Sequence, residues 1–293
     1  MSEAVLAQAA LTGLLVGGVY GLVAMGLALI FGVLDIINFA HGAMMALAMY
    51  GTYALVAQFG LDPYLTLLLT VPLLFALGAA IQLLLVARVL GGAAESQLLL
   101  TLGLAIVIEN VLLATFTATP RTVNVAFIGT ALPSGVRLGA AVASTQLVIA
   151  FVGSLVLGGL LHVLLHRTRL GMTIRAVAEN PRGAALVGVD VRRVYVLAFG
   201  LGAACVGAAG TLMVPFLSVT PTTGDTFNII AFVVVVLGGL GSVTGALVGG
   251  LIVGLVQYLG GAALPQVNNL LVVFVVFVLT LLLRPQGLLG RPG

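Results

Sequence analysis

Asp35, Asn38 and His41 stand three residues apart in FGVLDIINFAHGAMM (31–45), inside an otherwise apolar N-terminal third. On one continuous helix, positions i, i+3 and i+6 share roughly one side. Ionisable groups at membrane depth are expensive, so they line a cavity or pair with each other. An acid, an amide and an imidazole there read in one of two ways. They form the polar lining of a pathway, or they mark a helix break near an interface. In the second reading Asp35 caps the next helix and His41 faces headgroups. A structural metal takes about four ligands, more than this stretch offers.

Glu109 and Asn110 form a second polar pair, in the middle of the apolar run LAIVIENVLLATF. Glu109 is the acid expected to be most buried. The pair either bonds to neighbouring helices in the bundle interior or takes part in transport. Proton coupling would need a relay partner, and none stands at helical spacing. His162 and His166, at i and i+4 in HVLLHRTR, lack the Glu of the metalloprotease pattern. They end a helix beside Arg167, where cations suit the C-terminal dipole, so they read as interfacial anchors. No Ser/His/Asp set, HExxH or CxxC is present, and no catalytic, cofactor or metal residues are assigned.

The elements that must position these residues are membrane spans. The chain is 61% hydrophobic and only 6% charged, whereas a soluble domain carries about 25% charged residues. The apolar runs are long and continuous, unlike the roughly ten-residue alternating segments of a membrane barrel. The fold class is all-α, a polytopic bundle of eight to ten spans forming one transmembrane domain over 1–293. Each span needs about 20 apolar residues. That places helices at 4–34, 42–60, 64–88, 97–118, 143–166, 193–217, 227–240, 243–260 and 267–283, a working count of nine. The first exceeds one crossing and could break near Gly17–Gly18. It has no basic leader before it, so it reads as a span and not a cleaved signal.

All eleven basic residues are Arg and none is Lys. A P-loop needs a Lys, so the chain cannot hydrolyse ATP that way, and Schiff-base chemistry is excluded too. The scattered Arg residues set membrane orientation and do not point to nucleic acid. Six of them fall in 167–193, which places that connection in the cytoplasm. Arg88, Arg284 and Arg291 follow to the same side. The segment 119–142, with Arg121 and Arg137, becomes the largest external loop. Cys205 is the single cysteine, so no internal disulfide can form.

The 167–193 connection reads as two short helices, MTIRAVAEN and RGAALVG, divided by Pro181. Ile174, Val177 and Ala178 make one apolar face, and Arg175, Glu179 and Arg182 the polar one. Such a helix either lies in the headgroups or docks on a cytoplasmic protein. HGAMMALAMYG (41–51) and TGALVGGLIVG (244–254) share a Gly-Ala start and a Gly nine positions later. Each follows an interrupted apolar run, the second interrupted at Gly238, Gly239, Gly241 and Ser242. Gly-interrupted segments in corresponding halves point to a transport pathway.

Three stretches, in order along nearly the whole chain, resemble the permease subunit of branched-chain amino acid ABC importers. They are YGLVAMGLALIFGVLDIINFAHGAMMALAMYGTY (20–53), RAVAENPRGAALVGVDVRRVYVLAFGLGAACVGAAGTL (175–212) and VVVLGGLGSVTGALVGG (234–250). The resemblance implies an assembly in a bacterial plasma membrane. Two permease subunits, usually different, would form the path in the lipid. Two cytoplasmic ATP-binding subunits would bind the loops, and an external binding protein would deliver the ligand. By position, Arg175, Ala178, Glu179, Asn180, Ala184, Ala185 and Gly188 lie in its coupling segment. The Glu-Ala-Ala…Gly motif of other ABC importers is not reproduced. Asp35, Asn38, His41, Glu109 and Asn110 remain candidates for the path. Branched-chain or related small amino acids are the implied cargo. The alternatives are urea or short amides in the same machine, or a stand-alone channel or secondary transporter.

Overall fold

A computed structural model describes residues 2–123, 135–139, 141–284 and 286–290. Arg291 lies outside the described residues. Eleven helices and one hairpin are seen among the described residues: α1 Glu3–Leu34, α2 His41–Phe59, α3 Leu67–Val89, α4 Ala94–Phe116, β1 Gly135–Leu138, β2 Ala141–Ser144, α5 Thr145–Arg167, α6 Arg169–Glu179, α7 Pro181–Leu186, α8 Val191–Met213, α9 Thr223–Gly238, α10 Val243–Ala263 and α11 Asn269–Leu283. Seven are long and apolar enough to cross a membrane, and α9 and α11 are shorter apolar helices. A π-helical turn, Gln82–Val86, lies inside α3.

Of the two ways a helix this long could fit, a tilt or a break near Gly17–Gly18, the break is not found, because α1 runs unbroken for 32 residues. Its glycines serve packing instead. A Cβ at Gly17 would stand 2.8 Å from the Gly250 carbonyl, and one at Gly13 2.7 Å from the Gly254 carbonyl. Lipid removes the hydrophobic drive between helices, so such backbone approach is what holds α1 to α10. The same chemistry joins α1 to α8, where Gly26 and Gly202 each face the other's carbonyl, at 2.6 and 2.7 Å from the built Cβ.

Hydroxyls tie α2, α3 and α8 together. Thr52 Oγ1 donates to Thr211 Oγ1 at 3.0 Å, and Thr70 Oγ1 shares a 2.9 Å hydrogen bond with Thr211. All three residues are fully buried. Thr211→Val removes both bonds at once and should lower the thermal midpoint of the purified chain, at a cost of about 1 kcal/mol. An unchanged midpoint would show the network idle.

The segment expected to be a plain external loop carries the antiparallel β1–β2 hairpin. Gln8 clamps it to α1, donating to the Val142 carbonyl and accepting from its amide, both at 2.8 Å. The bundle therefore has a hairpin end and an opposite end bearing α6 and α7.

Candidate functional site

The helix α1 stops at Leu34, and Asp35 takes the left-handed conformation, φ 54°, with its amide bonded to Phe31 O at 2.8 Å. The chain then turns back. His41 Nε2 donates to the Val23 carbonyl at 2.9 Å, which lies eleven residues above the end of α1, roughly 16 Å at 1.5 Å per residue. So α2 begins at the level of the middle of α1, after a re-entrant stretch.

Non-helical backbone is tolerated at that depth only where protein satisfies it. Asn38 Oδ1 accepts from Ala40 N at 3.1 Å, Asn38 O accepts from His41 N, and Thr101 Oγ1 donates to Ile37 O at 3.2 Å. Asn228 of α9 reaches over to accept from Gly42 N at 3.1 Å. Asn38 and His41 are fully buried. Asn38, Thr101 and Asn228 thus bond backbone groups of the re-entrant stretch, while Asn38 Nδ2 and His41 Nδ1 are buried without a hydrogen-bond partner.

The break falls where the sequence places it, between a helix ending at Leu34 and one starting at His41, and three details of the two readings differ. The three residues share no helix face, because the helix ends before Asp35. Asp35 closes α1 and does not cap α2. His41 is enclosed by protein and does not meet headgroups. His41→Ala should destabilise the fold by about 2–4 kcal/mol through the cavity it leaves, whereas exposed Asp35→Ala should cost less, about 1 kcal/mol, because Ala tolerates the left-handed backbone at position 35 less well than Asp. Parallel melting curves of the two variants check this, and equal shifts would contradict it.

The first turns of α2 and α9 meet at Gly42 and Gly224, each of whose built Cβ would strike the other's carbonyl. The spatial partner of the α2 start is therefore α9. The similar α10 start, at Gly245, packs against Gly238 instead.

Asp35 faces a different neighbourhood. A cleft of about 780 Å³ at the α6–α7 end is lined by Asp35, Arg175, Ala178, Glu179, Gly241 and Ser242, among others. It joins the end of α1, the break between α9 and α10, and the short helix α6. Gly239 and Gly241 have φ of 106° and 78°, a region closed to most side chains. Ser242 caps α10 by accepting from Gly245 N at 3.0 Å. Gly238 packs on Gly245 above the break.

The α6–α7 pair is built by its caps. Thr168 accepts from Gly171 N at 3.1 Å, and Asn180 from Gly183 N at 2.8 Å, with Pro181 in the first turn. Ile174 and Val177 are buried against the bundle, so the apolar face is used up within the chain and does not lie in headgroups. Ala178, expected on that face, is exposed, as are Arg175, Glu179, Asn180, Ala185 and Gly188, while Ala184 is buried. Sequence reasoning passed over Leu186 and Val187, which are 89% and 81% exposed at the tip. Their signal was an apolar pair just before Gly188, whose φ of 88° turns the chain.

Glu109 is half-buried on a flank of α4, and Asn110 is exposed, donating to Ile106 O of its own helix at 2.8 Å. Neither reaches the bundle interior. The most buried acid is Asp62, at 7% exposure. His162 and His166 stack at the α6–α7 end, ring centroids 4.1 Å apart. Among the described residues no cluster of three metal-ligating side chains occurs.

A family model described as branched-chain amino acid transport system / permease component matches residues 9–281. The chain belongs to this permease family. It is 29% identical to the high-affinity branched-chain amino acid transport permease BraD of Pseudomonas aeruginosa, over 97% of this chain and 96% of that one. To the high-affinity permease LivH of Salmonella typhimurium it is 31% identical, with the same coverage. To the probable permease LivH of Methanocaldococcus jannaschii it is 30% identical, over 92% and 88%. No solved structure gives a significant match. The permease is a multi-pass membrane protein.

Proposed function

We propose that this chain is one membrane-spanning subunit of an ATP-driven importer. It would translocate branched-chain or related small amino acids delivered by an external binding protein. The observation that carries the reading is end-to-end similarity to permeases named for that transport, joined to a rigid two-helix projection tipped by exposed Leu186 and Val187. The seven long helices plus α9 and α11 make nine membrane segments in one domain, residues 1–293. Arg88 shares a surface groove with Arg192, on the same connection as Arg167, Arg169, Arg175, Arg182 and Arg193. The positive-inside rule then puts the α6–α7 end in the cytoplasm.

In this reading, cytoplasmic ATP-binding subunits hold the 167–193 loop, with Arg175, Ala178, Glu179, Asn180, Ala184, Ala185 and Gly188 in the coupling segment. The chain supplies no ATPase site of its own. Movement of α6 passes through the cleft to the end of α1 and to the Gly239–Gly241 break. The helix borders the cleft that both breaks line, so its movement would reach both. Gentle extraction of the tagged chain from its native membrane tests the assembly. A P-loop ATPase and a second hydrophobic permease should come with it. Only copies of itself, under conditions where a known complex survives, would overturn the reading.

A further inference from the structure

Arg88 and Arg192 border one groove of about 650 Å³, where α8 packs across the end of α3. Gln82, Leu83, Leu84 and Tyr195 line it with them. Both Arg side chains are exposed. Arg193, beside Arg192 in the chain, pairs with Asp190 at 2.8 Å. Among the described residues, Arg88 and Arg192 have no such carboxylate. Two cations on one groove repel each other, and an anion between them removes that cost.

Gln82 opens the π-helical turn Gln82–Val86, an irregularity found frequently at functional sites. Its side chain is 1% exposed, and its Oε1 is buried without a hydrogen-bond partner. An unmet buried amide is costly. A half-turn of the amide sets its NH2 group in the same place, so the position can donate as well as accept. Gln82 stands six residues before Arg88, roughly 9 Å farther into the bundle. Leu83 and Leu84 are 44% and 54% exposed, on a helix long and apolar enough to cross a membrane.

From its mouth inward the groove thus offers two cations, an amide and an apolar wall. A phospholipid presents its phosphate, its glycerol esters and its acyl chains in the same order. The ester carbonyls accept the hydrogen bond that the turned Gln82 amide donates. A zwitterionic headgroup would bring its own ammonium toward Arg88 and Arg192, so the pair favours a lipid of net negative charge. The general attraction of Arg to headgroups has no use for a buried amide, and Gln82 is what makes the groove a site.

We propose that the α3–α8 groove holds one anionic phospholipid, its phosphate between Arg88 and Arg192, its ester region at Gln82 and an acyl chain along Leu83 and Leu84. The site is additional to the transport reading and does not depend on it.

The test uses the full chain, with whatever partners leave the native membrane with it. It is exchanged into neutral detergent containing equal amounts of phosphatidylglycerol and phosphatidylcholine, and native mass spectrometry counts the lipid retained. Phosphatidylglycerol should exceed phosphatidylcholine about tenfold. Arg88→Gln with Arg192→Gln should bring the two lipids level and leave the melting curve in place, because both side chains are exposed. Arg167→Gln with Arg169→Gln, an equal change of charge, should keep the preference. Gln82→Met, close to Gln in shape, should weaken retention of phosphatidylglycerol. Equal retention of the two lipids by the parent chain would overturn the proposal. So would loss of the preference in both double variants, which would show charge acting at large. Unchanged retention with Gln82→Met would overturn the place given to the esters. Inorganic phosphate in large excess should leave the lipid bound, and displacement by it would assign the groove to a free phosphate ion instead.

Discussion

Gly42→Val should abolish transport and leave little folded permease. The added Cβ enters the space of the Gly224 carbonyl, and Gly224 faces Gly42 in the same way. The Gly42 backbone is not free to retreat. The Gly42 amide is held by Asn228, and the preceding residues are held by Asn38 and by His41 on Val23. Overpacking a well-fitted core costs about 1–3 kcal/mol, and a clash between two fixed backbones belongs at the top of that range or above it. Gly51→Val is the internal control. It lies on the same helix, yet its built Cβ meets nothing within 4 Å. Size-exclusion profiles and melting curves should therefore show Gly42→Val aggregated or strongly destabilised and Gly51→Val like the parent. Equal behaviour would mean that the meeting of α2 and α9 does not organise the bundle.

Leu186→Asp and Val187→Asp should uncouple the permease without unfolding it. Both side chains are almost wholly exposed, so the chain alone loses no packing and its melting curve should not move. A hydrophobic tip that docks in a groove would have to bury a carboxylate instead, which is costly without a partner. Recovery of the ATPase in a pull-down should fall at least tenfold, equivalent to about 1.4 kcal/mol, and uptake should fall with it. Normal recovery of the ATPase with both variants would contradict docking through this tip.

These predictions separate what local sequence could show from what it could not. The α6–α7 pair was legible because its caps and Pro181 are local, and Asn180 and Thr168 act within three residues. Ala178 was misplaced because α6 buries only a narrow stripe, Ile174 and Val177, against the bundle. The interruption at 31–45 was visible in its polar residues. Its ends were legible too, since helices expected over 4–34 and 42–60 are found over Glu3–Leu34 and His41–Phe59, but the fold of residues 35–40 between them was not. The partners that give those residues their roles, Val23, Thr101 and Asn228, stand far away in sequence. Glu109 was placed inside because a mid-span acid ought to be covered. In the single chain it sits half-buried on a flank of α4.

The most direct test of the account is uptake by the purified complex in proteoliposomes, with radiolabelled leucine, the external binding protein and ATP on the ATPase side. The account predicts accumulation that requires ATP and the binding protein and is lost with Leu186→Asp. Leucine uptake by this chain alone, without ATP or partners, would contradict it.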